Sequence, residues 1–223
     1  MSQLDSTTSS VMKRVYVKMT LGLLVTAFIS MFCAGSASYM NFMVQNSWFY
    51  WGLFIAELII VFTMSARLTK MSSTTATLMF YAFAAINGLA LAPIFILYTA
   101  TSIAKTFFIC AGTFGAMSIY GYFTSNDLTK MGTYLFYALI GLIIASVVNI
   151  FTHSSTLDWI ISGAGVLIFV GLTAWDTQKI KQMAQYAPAG MLGHLATIGA
   201  LSLYLDFINL FLYLLRFFGN SRD

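Results

Sequence analysis

Residues 195–218 read LATIGALSLYLDFINLFLYLLRFF, an apolar run of 24 residues that holds one carboxylate, Asp206, near its middle. A run of roughly 20 apolar residues is long enough to cross a membrane as an α-helix. An acidic side chain at that depth costs about 2.5 to 3.5 kcal/mol on insertion scales. This cost indicates that Asp206 has a task, and that it needs a partner.

The composition of the whole chain indicates an integral membrane protein. Of its 223 residues, 59% are hydrophobic and only 8% are charged, and the mean hydropathy is +0.83. Such a chain has too few polar residues to cover the surface of a soluble globule. The net charge of +4 is interpreted as a topology signal and an attraction to anionic headgroups, not as a nucleic-acid interface.

Seven apolar runs are long enough to span a membrane. They are continuous and lack the alternation of a lipid-facing β-strand, so the predicted fold is an all-α bundle of seven transmembrane helices. We expect a polar and basic N-terminal tail at 1–18, a single membrane domain at 19–218 and a short C-terminal tail at 219–223. The runs lie at 19–40, 48–66, 76–98, 106–124, 132–151, 159–175 and 195–218.

The distribution of Lys and Arg predicts the orientation. With the N-terminus inside, eight of the 11 basic residues fall in inner segments and three in outer ones. Because basic loops tend to stay on the cytoplasmic side, we expect a cytoplasmic N-terminus and an outer C-terminus. The short tails favour a bacterial inner membrane.

No pattern of cysteines or histidines indicates a metal site. Cys33 and Cys110 lie inside predicted spans, where a thiol behaves as a small apolar side chain, and His153 and His194 lie in separate loops. The chain contains no CxxC, HExxH or phosphate-loop motif. We therefore expect neither a zinc site nor a bound cofactor.

Asp176 and Arg67 are the candidate partners of Asp206. Asp176 follows the sixth run, whose helix we expect to continue past the headgroups until the break at Pro188. Arg67 closes the second run at the same inner level, where its guanidinium could bind one or both aspartates. Alternatively, Asp176 is a solvated residue and Arg67 a topology-setting cation. Asp206 would lie about 16 Å deeper than Asp176 along an ideal helix, unless Asp176 itself lies deeper.

A polar stripe follows one face of the last run. Its members recur at intervals of three and four residues and must face protein or water: Ser202, Asp206, Asn209, Tyr213 and Arg216. For Ser202, Asn209 and Tyr213, we favour hydrogen bonds between helices that hold the bundle together. That explanation does not suit Asp206, because such bonding needs no ionisable acid.

Glu57 is a further acid at membrane depth, near the middle of the second run. It lies ten residues before Arg67, about 15 Å along a helix, so the two are not a direct pair. A contact with Arg216 would require that side chain to reach inward from the outer end. Glu57, Ser202, Asn209 and Arg216 are therefore accessory candidates.

Proline and glycine residues in the runs are interpreted as architectural. Pro93 is expected to kink the third helix, since proline removes a backbone donor. Two glycine pairs, Gly112 with Gly115 and Gly163 with Gly165, are expected to permit close approach of helices.

The chain resembles the Bax inhibitor-1 family, also called the transmembrane Bax inhibitor motif family. The run SLYLDFINLFLYLLRFFG at 202–219 carries the resemblance most specifically, with Asp176 in WDTQKIK, Arg67, and residues 87–93 of the third run. It covers nearly all of the chain and implies a seven-helix protein whose last helix is central. It also implies a pH-sensitive calcium leak gated by an aspartate pair, Asp176 and Asp206, with Arg67 beside it.

Elementary electrostatics supports the mechanism that the resemblance implies. Two carboxylates close together in a poorly hydrated place resist double ionisation and share a proton. A change in protonation then alters the bonds that latch the helices around the inner mouth. Calcium prefers six to eight oxygen ligands, so two aspartates bind it only weakly, which suits conduction. The expected partners are the lipid bilayer, protons and calcium ions.

A calcium leak is favoured over three other functions. A cation/proton exchanger is a less favoured form of the same hypothesis. The alternative from another class is an interaction protein that binds and modulates a membrane protease or another membrane partner. An intramembrane aspartyl protease also needs two aspartates on adjacent helices, but LTAWDTQ and LYLDFIN lack its GxGD signature and no GxSxG occurs. We therefore do not expect an enzyme.

Overall fold

The computed structural model describes the backbone of residues 3–67 and 70–220, and the side chains from residue 6 onward within those ranges. This part of the chain is almost entirely helical and contains no β-strand. The helices are α1 (Gln3–Ala34), α2 (Ala37–Gln45), α3 (Ser47–Arg67), α4 (Ser73–Leu91), α5 (Ile94–Leu97), α6 (Ala100–Phe123), α7 (Thr129–Thr152), α8 (Ser155–Tyr186), a 3-10 helix (Ala189–Met191) and α9 (Leu192–Phe218).

Seven helical segments in the described ranges are long and apolar enough to cross a membrane, which confirms the predicted all-α bundle. The last of them is the most buried: 61% of its most apolar 18-residue stretch is buried, compared with 6% for the fifth. Protein therefore covers most of this stretch of the last helix. The segments are Ser6–Ala34, Ser47–Arg67, Ser73–Leu97, Ala100–Phe123, Thr129–Thr152, Ser155–Tyr186 and Ala189–Phe218.

The N-terminal segment is helical where a polar tail was expected. α1 begins at Gln3, and the buried side chains of Val11 and Val15, one turn apart, pack this segment against the rest of the protein. Burial of this apolar stripe explains why the helix extends through a Ser/Thr-rich sequence. Of the predicted C-terminal tail at 219–223, only the first two residues lie inside the described ranges.

Two local signals end helices inside predicted spans. Ser36 caps α2, since its Oγ accepts a hydrogen bond from the backbone N–H of Tyr39 at 3.3 Å, and the first span therefore ends before it. Pro93 follows the end of α4, and α5 begins directly after it at Ile94. The break expected at Pro93 is confirmed.

α8 continues well beyond the predicted sixth span. It ends at Tyr186, two residues before Pro188, as expected from the helix formers in this stretch. Residue 175 is the end of the apolar run, and the helix continues for eleven residues past it, which confirms the expected continuation. Asp176 consequently lies ten residues inside the helix rather than at its end.

The polar side chains beyond Asp176 bind the loop between α6 and α7. Gln178 Oε1 accepts a hydrogen bond from the backbone N–H of Leu128 at 2.9 Å, and its Nε2 donates one to the carbonyl of Asn126 at 2.8 Å. Lys181 Nζ donates to the carbonyl of Tyr122 at 2.6 Å. Protein groups therefore satisfy the polar side chains of Gln178 and Lys181.

The described residues group into two compact units. The first contains the chain up to Thr99 and Met183–Tyr204, and the second contains Ala100–Gln182 and Leu205–Asn220. Because α8 and α9 each contribute to both units, the single membrane domain predicted for 19–218 stays a prediction. Glu57 and Arg67 belong to the first unit, whereas both candidate aspartates belong to the second.

The predicted glycine contacts are only partly observed. A Cβ on Gly112 or Gly115 would meet no atom within 4 Å, so these glycines do not mediate close packing in the described structure. A Cβ on Gly165 would come within 2.6 Å of the Tyr213 ring, whereas one on Gly163 would make only ordinary contact with the Phe217 ring at 3.5 Å. The expectation therefore holds for Gly165.

Closer helix approaches occur at two glycines that the sequence did not single out. A Cβ on Gly121 of α6 would collide with the carbonyl of Ala174 on α8. A Cβ on Gly132 of α7 would collide with the indole ring of Trp175. Both contacts are made by the two residues that directly precede Asp176, so small residues on two neighbouring helices set the position of α8 at this level.

Candidate functional site

α8 and α9 lie against each other in antiparallel order within the second unit. Their contacts show this order, because residues at the start of α8 contact the end of α9, whereas Phe169, further along α8, contacts Tyr213, which is earlier in α9. The contacts are Asp158 with Arg216 (Oδ1 to NH1, 3.3 Å), Trp159 with Phe217 (ring centroids 5.2 Å apart) and Phe169 with Tyr213 (ring centroids 5.8 Å apart).

This register places Asp176 opposite Asp206. Asp176 is seven residues after Phe169, and Asp206 is seven residues before Tyr213. Seven residues are close to two full helical turns, so each aspartate lies below its ring on the same face of its helix. In agreement with this register, the Asp176 carboxyl is near enough to act electrostatically on Asp206. The structure therefore brings the two predicted aspartates together.

The difference in depth expected from the sequence is largely removed by the length of α8. Asp176 lies ten residues before the end of α8, about 15 Å along the axis, and Asp206 lies 14 residues after the start of α9, about 21 Å. The two positions thus differ by about 6 Å along their helices, instead of about 16 Å.

α6 fixes the rotation of α9 at this level. The ring of Phe207, the residue after Asp206, packs edge-on against Phe107 and Phe114, with centroids 5.7 and 5.4 Å apart. The thiol of Cys110 lies 3.6 Å from the carbonyl of Phe207. Because successive helical residues point about 100° apart, these contacts with α6 turn the Asp206 side chain to another side of α9.

Asp206 is buried and incompletely bonded. Only 5% of the residue is exposed, and its Oδ2 has no hydrogen-bond partner among the described residues. A buried polar group without a partner costs about 1 to 3 kcal/mol, and a charged one costs more. A proton or a cation at this oxygen offsets part of that cost.

Asp176 is less deeply buried than Asp206 and has a positive charge beside it. It is half-buried, and the ammonium group of Lys179, one turn further along α8, acts on it electrostatically. Lys179 Nζ also lies 4.8 Å from the centroid of the Trp175 ring, which holds the cation beside this face of the helix. The pair therefore joins a carboxyl that is almost fully buried to one that is less deeply buried.

Further polar atoms without partners lie in the same unit. Thr177 Oγ1 and Ser118 Oγ are buried and have no hydrogen-bond partner among the described residues. Within those residues, no group of three or more His, Cys, Asp or Glu side chains is placed to hold a metal ion. A calcium ion at the aspartate pair would therefore need carbonyl and water oxygens to complete its shell.

Arg67 lies in the first unit and the two aspartates lie in the second. It is the last residue of α3, its side chain is exposed, and that side chain makes no hydrogen bond or ion pair with a described residue. Its assignment as the arginine beside the pair stays a prediction.

The other members of the polar stripe on α9 have separate roles. Asn209 Nδ2 donates to the carbonyl of Leu205 on its own helix at 2.8 Å, so it does not connect two helices as expected. The ring of Tyr213 stacks on that of Phe169 in α8, with centroids 5.8 Å apart, so Tyr213 connects two helices by packing, where a hydrogen bond was expected. Ser202 is half-buried and makes no side-chain hydrogen bond within the described ranges.

Arg216 pairs with Asp158, an acid that the sequence pattern does not indicate as its partner. Its NH1 lies 3.3 Å from Asp158 Oδ1, and both side chains are nearly half exposed. The suggested contact between Arg216 and Glu57 is therefore not observed. Asp158 lies in the first turn of α8. The antiparallel order of the two helices places it opposite Arg216 at the end of α9.

Glu57 takes part in a buried hydrogen-bond network in the first unit. Its Oε1 accepts from Asn87 Nδ2 at 3.0 Å, and Asn87 Oδ1 accepts from the hydroxyl of Tyr204 at 3.0 Å. The Tyr204 hydroxyl is also 2.6 Å from Thr26 Oγ1, which lies 2.8 Å from the carbonyl of Ala84. The network connects α1, α3, α4 and α9, and gives Glu57 a structural partner.

Replacing Tyr204 with Phe is expected to destabilise the protein by about 1 kcal/mol, because the hydroxyl joins Asn87 to Thr26 in a fully buried place. Thermal unfolding of the purified protein in detergent measures this loss. Tyr186→Phe is the matched control, since Tyr186 is 85% exposed. Equal unfolding temperatures for both variants and the wild type would contradict a stabilising role for the network.

Comparisons with known proteins agree with the residues assembled above. Residues 8–223 match the family described as "Inhibitor of apoptosis-promoting Bax1". The chain is 50% identical over 214 residues to the inner membrane protein YbhL of Escherichia coli (strain K12), which covers 95% of this chain and 92% of YbhL. It is also 46% identical over 213 residues to a protein of Rickettsia prowazekii (strain Madrid E), covering 95% and 90% of the two chains. A membrane protein of Streptococcus pyogenes serotype M3 (strain ATCC BAA-595 / MGAS315) is 39% identical over 211 residues, covering 93% and 91%. The chain thus belongs to the Bax inhibitor-1 family of multi-pass integral membrane proteins.

Proposed function

We propose that this protein is a calcium-permeable, proton-sensitive leak channel of a bacterial inner membrane, with its N-terminus in the cytoplasm. One observation carries the proposal. Asp176 and Asp206 face each other across two packed helices, and the deeper carboxyl is buried with an oxygen that lacks a partner. A relative that is 50% identical is named an inner membrane protein, which supports the location.

In this proposal, the charge of the aspartate pair controls how α8 and α9 pack. Loss of a shared proton leaves two negative charges on facing helices, where the low dielectric strengthens their repulsion. Gain of a second proton removes the charge that attracts a cation such as Arg67. Either change alters the bonds that latch the helices, so the conducting state responds to pH.

The same pair supplies weak attraction for calcium. Calcium is a hard cation that takes six to eight oxygen ligands, of which two carboxylates provide only a part. Binding that is favourable but incomplete lets the ion enter and leave. The proposed calcium ion is the transported species and not a resident cofactor.

The test is calcium flux into proteoliposomes at several pH values, with a calcium-sensitive dye enclosed. Asp176→Asn is expected to remove the pH response, because a pair with one carboxyl cannot share a proton in the same way. Arg67→Gln is expected to keep the flux but to change its pH dependence, and Lys70→Gln, three residues on, serves as its control.

Asp127→Asn is the matched control for the aspartate substitution. Asp127 lies in the exposed loop before α7, and hydrogen bonds from Thr129 lower the pKa of its carboxyl. It therefore stays ionised near neutral pH, and its replacement should leave the pH response unchanged. Unaltered flux and pH response in Asp176→Asn would refute the channel proposal. A crosslinked membrane partner retained by that variant would then favour the interaction-protein alternative.

A further inference from the structure

α1 carries a second set of charged and hydroxyl side chains, which is separate from the aspartate pair. Ser10, Arg14 and Lys18 follow one another at intervals of four residues and so lie along one face of the helix. Beside Ser10 and Arg14, and one turn before Lys18, is a cavity of about 250 Å³, lined by Ser6, Thr7, Ser10, Val11, Arg14 and Leu192. This volume lies below the range of about 300 to 1,000 Å³ typical of pockets for drug-sized molecules, and suits a smaller group.

Lys18 has hydrogen-bond partners but no compensating negative charge. Its Nζ donates to Thr77 Oγ1 at 2.7 Å and to Thr197 Oγ1 at 2.6 Å. These hydroxyls are neutral, and an ammonium group has a third donor. Lys18 is also half-buried, where an uncompensated cation is costly.

Arg14 adds a second cation at the same place. It lies one turn before Lys18 and acts on it electrostatically. Between described side chains, the one observed ion pair is that of Arg216 with Asp158, so no described carboxylate neutralises Arg14 or Lys18. Two like charges this close repel each other, and an anion bound between them removes that repulsion.

We propose that Arg14 and Lys18 form a binding site for a phosphate group, held between the N-terminal half of α1 and the start of α9. A guanidinium fork matches the geometry of phosphate, an ammonium adds a point charge, and hydroxyls of the kind that line the cavity accompany such sites. Basic pockets between transmembrane helices are where anionic lipid headgroups bind. The site is independent of the aspartate pair and of the proposed channel.

The phosphate has two possible sources with the same chemistry, an anionic phospholipid and free phosphate in solution. Arg14 lies eight residues after the start of the first span, about 12 Å along the helix, a depth that the phosphate of a lipid headgroup reaches. Inorganic phosphate reaches the same groups only through water that enters the cavity. Binding measurements with both probes distinguish these sources.

The experiment measures equilibrium binding of fluorescent phosphatidylglycerol to the full-length protein in detergent, with phosphatidylcholine as the uncharged comparison. The wild type is expected to bind phosphatidylglycerol more tightly than phosphatidylcholine. Arg14→Gln should weaken that binding about five-fold, since one basic residue near an anionic lipid contributes about 1 kcal/mol. Arg14→Lys should restore part of the loss. Competition by inorganic phosphate, with no preference between the two lipids, would assign the site to free phosphate.

Lys13→Gln is the matched control, because it removes the same charge from the neighbouring position of α1 and does not line the cavity. Its phosphatidylglycerol binding should equal that of the wild type. Arg14 is exposed, so its variant should fold, and unchanged helicity by circular dichroism verifies this. Equal weakening by Lys13→Gln and Arg14→Gln, or no effect of Arg14→Gln on either phosphate probe, overturns the proposal.

Discussion

Replacing Asp206 with Asn is expected to abolish the pH response of calcium flux and, at the same time, to stabilise the fold by about 1 to 3 kcal/mol. The gain arises because Asp206 is a buried acid whose Oδ2 has no partner among the described residues. The neutral amide keeps the shape of the side chain and loses the cost of a buried charge. The functional loss arises because Asn cannot exchange a proton with Asp176.

These opposite effects separate a functional acid from a structural one. Residues kept for function often reduce stability, whereas a hydrogen-bonding group that holds helices together increases it. Thermal unfolding in detergent and proteoliposome flux across a pH series, made on the same preparation, measure both effects.

Asp158→Asn on α8 is the control for this substitution. It removes an acid from a half-exposed ion pair, and its unfolding stability should change by less than about 1 kcal/mol. A less stable Asp206→Asn protein that keeps a normal pH response would show that Asp206 serves the packing of α9 alone.

Replacing Gly121 with Ala is expected to destabilise the protein by about 1 to 3 kcal/mol and to disturb the aspartate pair. The added methyl group would collide with the backbone carbonyl of Ala174, which cannot move aside as the end of a flexible side chain can. Relief of the collision must shift α8, and Ala174 lies two residues before Asp176. We therefore expect both a lower unfolding temperature and an altered pH dependence of flux.

Gly112→Ala is the matched control, since it makes the same change on the same helix at a place with no atom within 4 Å. Alanine is a better helix former than glycine, so this variant should be neutral or slightly more stable. Similar unfolding temperatures for Gly121→Ala and Gly112→Ala would contradict the close approach of α6 and α8.

Residue-level expectations failed where they depended on which helices are neighbours. Gly112 and Gly121 lie on the same helix and look equally suited to close packing, but only Gly121 meets α8. Arg216 has no acid near it in the sequence, and its partner Asp158 becomes close only when α8 and α9 are antiparallel. Such pairings join residues far apart in the chain, and periodicity within one helix does not reveal them.

Helix ends were also difficult to predict from hydropathy. The polar residues of α8 after Asp176 resemble the end of a span, yet Gln178 binds the loop before α7 and Lys181 binds the last turn of α6. The Ser/Thr-rich start of α1 resembles a tail, yet it is helical and partly buried. In both places tertiary contacts satisfy polar groups that the sequence alone assigns to water.

The amino-acid sequence was sufficient to establish seven membrane-spanning helices. The length and apolarity of each run are local properties, and they alone determine whether a helix can cross the hydrocarbon core of a bilayer. It was also sufficient to single out Asp206, since an acid in an apolar run is conspicuous by its cost, and to name Asp176 as a candidate partner. Only the tertiary structure placed the two opposite each other, because that depends on the antiparallel register of α8 and α9 and on the ring contacts that set their rotation. Those contacts join segments distant in the chain, and packing alone selects them.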